Sequence, residues 1–104
     1  MSNATLSSSA TLALPAVLMQ AQAQSVADGL VQALLAHVAK GSEAVLDASA
    51  LSQFDSSALA VVLACRRAVK AKGAHLRVTG LPARAQALAK VYGVAALLDE
   101  ATHA

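Results

Sequence analysis

Few residues in this chain have types suited to chemistry, and most of them fall in one stretch, "LDASALSQFDSSALAVVLACRRA", from Leu46 to Ala68. Asp47 and Asp55, eight residues apart, are candidates for a paired general acid and base. Ser56 and Ser57 follow at once, and a serine there is a candidate nucleophile or phosphate acceptor. A hydrolase would also need an oriented base and oxyanion donors, yet Ser57 is not in a GxSxG elbow and no histidine is assigned to it. His37, His75 and His103 sit in different elements without helical ligand spacing, so each reads as a surface residue and no metal site is expected. Neither GxGxxG nor GxxxxGK[ST] occurs, which leaves no phosphate loop and no expected cofactor. The plainer reading of the aspartates is structural: Asp47 ends a strand and Asp55 caps a helix. Catalysis is the weaker class.

The elements that must position these residues follow from periodicity. Ala10–Leu14 alternates as a strand, and Pro15 restricts it to an edge or a break. A helix follows over "SVADGLVQALLAHVAK", with Ser25 as its cap, Asp28 near its positive end, and Val26, Leu30, Leu34 and Val38 on one face; Gly41 stops it. Glu43–Ser49 reads as a short buried strand. The second long helix spans Ser56–Lys72 and ends at Gly73, and His75–Gly80 alternates as another strand. Pro82 opens a third helix that Gly93 closes, with Tyr92 expected to pack on the core or, in a lesser reading, to offer its hydroxyl to a partner. "VAALLDEA" is either a strand or a helical turn. Strands alternating with helices give an α/β domain with helices packed on a small, largely parallel sheet. The expected organisation is one domain over residues 10–100 between frayed ends, 1–9 and 101–104.

Composition narrows the function classes. The chain has 104 residues, 57% hydrophobic and rich in alanine, with one Phe, one Tyr and no Trp. A formal charge of +2 without a clustered basic face argues against nucleic acid, and the lack of aromatics argues against stacking on single strands. No apolar run approaches the roughly 18–20 residues of a membrane span. "LALPAVLMQAQA" lacks a preceding Lys or Arg and is broken by Pro15, so a secretory signal is not expected. The lone Cys65 fits a small buried hydrophobe in a reducing cytoplasm.

The strand–loop–helix "VLDASALSQFDSSALAVVL", residues 45–63, resembles the hallmark of the STAS domain family, small α/β domains of sulphate transporters and anti-sigma-factor antagonists. The family pattern is an apolar strand ending in Asp, a short loop, then Asp-Ser-Ser-Gly-Leu or Asp-Thr-x-Gly-Leu opening a helix. Asp47, Asp55 and Leu59 match it, and Ser57 matches the serine that many members have phosphorylated by a partner kinase. Ala58 departs from the usual glycine, and its methyl restricts close approach beside Ser57. "FDSSALAVVLACRRAVKAKG" and "VTGLPARAQALAKVYGVAALL" are most similar to the small cytoplasmic STAS subunit of the bacterial phospholipid-transport ABC system that maintains outer-membrane lipid asymmetry. That resemblance implies a non-catalytic subunit that binds the transporter's ATPase subunit, and through it the permease. The alternative it implies is an anti-sigma-factor antagonist switched at Ser57 by an anti-sigma factor or kinase.

The residues of the second helix give an independent indication. Unwound at about 100° per residue, Ala58, Val61, Val62, Cys65 and Val69 share the arc that faces a sheet. Leu59 and Leu63 fall off that arc, beside Ser56, Arg66, Arg67 and Lys70. Two leucines and three cations facing outward suit a surface covered by a partner, by a neighbouring helix or loop of the same domain, or by a second copy in a weak homodimer. Ser56, Ser57, Leu59, Leu63 and Arg67 are therefore the expected contact residues. A phosphate on Ser57 would add about −1.5 to −2 charge, and an apolar partner surface would have to bury it.

Overall fold

The computed structural model describes residues 9–97, and in it eight elements alternate along the chain: β1 Ser9–Ala13, β2 Val17–Leu18, α1 Gln20–His37, β3 Glu43–Asp47, β4 Gln53–Phe54, α2 Ser56–Ala71, β5 His75–Thr79 and α3 Ala83–Val91. Of the expected frayed ends, 1–9 and 101–104, only Ser9 falls within the described residues, where it opens β1; the rest of both ends and the placing of His103 lie outside them. β3 is the central strand of a three-stranded parallel sheet, between β1 and β5. β2 and β4 form a second, two-stranded parallel ladder. The expected α/β class with helices on a largely parallel sheet is what the chain adopts.

Register explains which side of the sheet is buried. Leu12, Leu46 and Val78 lie side by side across the three strands, as do Ala44 and Leu76, and this face packs under α1 and α2. Successive residues point to opposite faces, so Thr11, Ala13, Val45, Asp47, His75 and Arg77 form the other face, all exposed or half-exposed. β3, expected as a short buried strand, is buried on one face, at Ala44 and Leu46, and half-exposed on the other. Glu43 and Arg77 approach to 3.9 Å on that outer face. Pro15 follows the last ladder bond of an edge strand, Leu14 N–H to Asp47 O at 2.8 Å, where a missing donor costs nothing.

α2 has the expected limits. Asp55 caps its start, and its end is a Schellman turn: Gly73 takes φ +77°, its N–H donates to Lys70 O at 2.9 Å, and Ala74 N–H donates to Val69 O at 3.1 Å. α3 ends the same way, with Val94 N–H donating to Ala89 O at 2.9 Å. Pro82 stands at the N-cap of α3 rather than inside its first turn. Of "VAALLDEA", residues 95–97 continue as a helical turn, and the rest is outside the described residues.

α1 differs from the sequence expectation at both ends. It starts at Gln20, and Ser25 is an exposed residue inside it rather than its cap. Asp28 likewise accepts from Gln24 Nε2 at 2.9 Å, an i, i+4 pair within the helix. The real start is held by Gln22 Oε1, which accepts Met19 N–H at 3.0 Å, and by Asp55 Oδ2, which accepts Gln20 N–H at 3.2 Å. The helix ends at His37, and Gly41 shapes the turn into β3 instead of stopping the helix.

The core joins Leu14, Leu18, Leu34, Leu46, Val62 and Val78 with the rest of the buried cluster. Cys65 is fully buried in it, and burial pushes its thiol up to about 11. Near pH 8 only about one thiol in a thousand is then ionised, so native Cys65 should label far more slowly than the same thiol in denaturant. Equal labelling rates, followed with a chromogenic disulfide, would show that the helix does not shield it.

Candidate partner-docking surface

The site begins with one carboxylate that serves two helices. Asp55 leaves the two-residue strand β4 and turns its Oδ1 to Ser57 N–H at 2.8 Å, which caps α2. Its Oδ2 reaches Gln20 N–H at 3.2 Å, at the start of α1. The Ser57 amide holds the Asp55 carboxyl below its ordinary value of 3.8, against an opposing desolvation and with a lesser contribution from the Gln20 amide. Asp47 is also held below 3.8, chiefly by Ser49 N–H at 2.9 Å. Each aspartate is thus engaged by its own local amide, which is the capping reading. Among the described residues no group of three or more His, Cys, Asp or Glu could hold a metal ion.

The sheet-facing arc of α2 is as expected, with Ala58, Val61, Val62, Cys65 and Val69 all buried. Leu59 is a correction. It was placed outward, yet it is only 4% exposed and belongs to the core cluster. α2 is packed by α1 and by α3 as well as by the sheet, so its buried arc is wider than a two-layer picture gives. Leu63 is half-buried, Arg67 is exposed, and Ser56 and Ser57 are half-exposed on the first turn.

The outward side of α2 includes the file Ser56, Ala60, Leu63 and Arg67, at helical spacing, with the exposed Lys70 continuing it. Ala60 was not singled out in the sequence, because alanine carries no chemical signal of its own. Beside the file runs an open groove of about 440 Å³ between α1 and α2, floored by Ala23, Ala27, Ala60 and Ala64 with Asp28 and Arg67 on its walls. His37 and His75 are exposed, as expected of surface residues. Tyr92 is a second correction: it is 58% exposed at the α3 C-cap and does not pack on the core, while Val91 before it is 80% exposed. Val91 lies two residues past the buried Ala89, about 200° around the helix, and so faces away from the domain, while Tyr92 has already left the helix as its C-cap.

The decisive comparison is with family models. The model described as "Mlab, STAS domain" matches residues 4–99, nearly the whole chain. The chain belongs to the STAS domain family. Within that family it is MlaB-like, in agreement with the resemblance of the Asp55–Leu59 region and of Leu81–Val94. No curated protein and no solved structure gives a significant match. In this STAS domain the hallmark segment is β3, the loop with β4, and the first turn of α2. Among the described residues no helix is long and apolar enough to cross a membrane.

Proposed function

We propose that this STAS domain is the non-catalytic subunit of an ABC-type phospholipid transporter that maintains outer-membrane lipid asymmetry, and that it docks on the transporter's ATPase at the cytoplasmic face. The observation that carries the reading is the outward file Ser56–Ala60–Leu63–Arg67 beside the α1–α2 groove, in a chain of the MlaB-like family. Small residues let a partner approach α2 closely, Leu63 supplies apolar area, and Arg67 supplies a charged edge. Function then follows from preferential binding: a subunit that binds one conformation of the ATPase better than another shifts the ATPase toward that conformation.

The test uses the full chain with the purified ATPase. Leu63→Asp and Ser57→Glu are expected to weaken binding and ATPase stimulation at least tenfold; Leu63 also packs against the core, so the Leu63→Asp melt falls while the chain stays folded at the assay temperature, and the Ser57→Glu melt stays near that of the native chain. Undiminished stimulation in both would remove the proposed face. Affinity purification from native membranes separates the rival reading. An ATPase and permease in fixed ratio support the transporter role, whereas a kinase-like partner with stoichiometric phosphate on Ser57 would mark an anti-sigma-factor antagonist.

A further inference from the structure

Met19 breaks a local rule. It stands at the N-cap of α1, where Ser, Thr, Asp or Asn is usual; its thioether faces the Gln22 amide as a weak acceptor in place of an oxygen, while the Gln22 side chain closes the other half of the capping box onto Met19 N–H. Departures of this kind concentrate at functional sites. Met19 is 39% exposed, and Val17, two residues earlier, is 39% exposed as well.

These two side chains stand beside the first turn of α2, not far off on a separate surface. Asp55 bonds Ser57 N–H with one oxygen and Gln20 N–H with the other, so the starts of α1 and α2 share one carboxylate. Val17 pairs with Gln53 and Leu18 with Phe54, and Ala16 O accepts the N–H groups of Ser52 and Gln53 at 2.8 and 2.9 Å. At the same end the Arg84 guanidinium lies 4.5 Å from the centroid of Phe54, two residues before Ser56. Arg84 makes no ion pair among the described residues. Among the described residues the remaining exposed large apolar side chains, Val91, Tyr92 and Leu97, lie at and beyond the end of α3.

We propose that Val17 and Met19 are apolar anchors of the α2 docking surface, which continues across Asp55 onto the start of α1 and has Arg84 as its charged rim. The inference rests on the proposed function and specifies the chemistry of the partner: an ATPase surface apolar at its centre, with a carboxylate facing Arg84. Both oxygens of Asp55 are already engaged by backbone amides, so the centre of the patch asks for no cation from the partner. The shared carboxylate fixes the spacing of the two helix starts before contact, which lowers the ordering cost of binding.

Calorimetric titration of the purified ATPase subunit into variants of the full chain tests this. Met19→Ser supplies the missing cap oxygen without adding charge near Asp55, so its melting temperature should equal or exceed that of the native chain, yet its Kd should rise at least tenfold. Val17→Lys should weaken binding comparably, and Arg84→Gln should flatten the dependence of Kd on salt. Val91→Lys, at the end of α3, should bind as the native chain does. If Met19→Ser and Val17→Lys stay within twofold of native while Leu63→Asp loses binding, docking is confined to α2 and the extension is wrong. If the native chain does not bind the ATPase, the proposed function falls and this inference with it.

Discussion

Gly80→Ala is expected to destabilise the domain by about 2–5 kcal/mol, from a strained backbone and an overpacked contact together. Gly80 takes φ +69° in the link between β5 and α3, a region that side-chain-bearing residues adopt at a cost. A Cβ there would lie 2.8 Å from Ser49 Cβ and 3.1 Å from both Ser49 Cα and Ser49 N. Those neighbours are close to backbone, and the Ser49 amide is itself held by Asp47 Oδ1 at 2.9 Å, so they have little room to yield. Gly93→Ala is the matched control. It has φ +74° but nothing within 4 Å of its Cβ, so it should cost only the backbone part. Chemical denaturation of both variants reads the difference. Equal losses would mean that the β5–α3 link relaxes away from Ser49 freely.

Substitution of Asp55 is expected to loosen two helix starts at once, and the choice of substitute separates them. Asp55→Ala removes both acceptors. Asp55→Asn keeps one oxygen for Ser57 N–H but can turn a donor toward Gln20 N–H, so α2 stays capped while α1 loses its tie. Amide exchange should therefore quicken at the first turns of both helices in Asp55→Ala, and at the start of α1 alone in Asp55→Asn, with melting temperatures falling in the order native, Asn, Ala. The sign of the pH dependence follows from the lowered carboxyl. Its stabilisation is fully present above the unfolded value of 3.8 and is lost as pH falls through the lower folded value. As pH falls below 3.8 the gap between the native and Asp55→Ala melting curves should narrow, closing once pH has passed the lower folded value. Asp47, lowered by Ser49, contributes in the same window and must be left in place in both proteins. A constant gap down to pH 2 would show that the two contacts do not depend on the charge of Asp55.

The order of strands and helices was legible because each long element obeys its own period. α2 and β5 were placed to within a residue or so, since Asp55 and the Gly73 turn mark the limits of α2 locally. α1 was misplaced at its start because its anchor, Asp55, lies 35 residues away in sequence. β2 and β4 span two residues each, too short for alternation to register. The exposed side of α2 was half legible. Ser56, Ser57, Leu63 and Arg67 have some exposure as a single-helix projection predicts, but that projection shows no neighbouring element, so it turned Leu59 outward although Leu59 lies in the core. Val17 and Met19 escaped notice because only tertiary pairing brings them to α2.

The parallel order β1, β3, β5 also governs how the chain matures during synthesis. β1 cannot pair until α1 and β3 have both left the ribosome, and β3 then keeps one open edge until α2 and β5 follow. Through that interval Leu46 and Ala44 are covered on one side only, and the nascent chain carries an unpaired, apolar central strand. Chains truncated before β5 should accordingly be held by chaperones or lost to aggregation, and completion of His75–Thr79 is the step that releases a soluble domain.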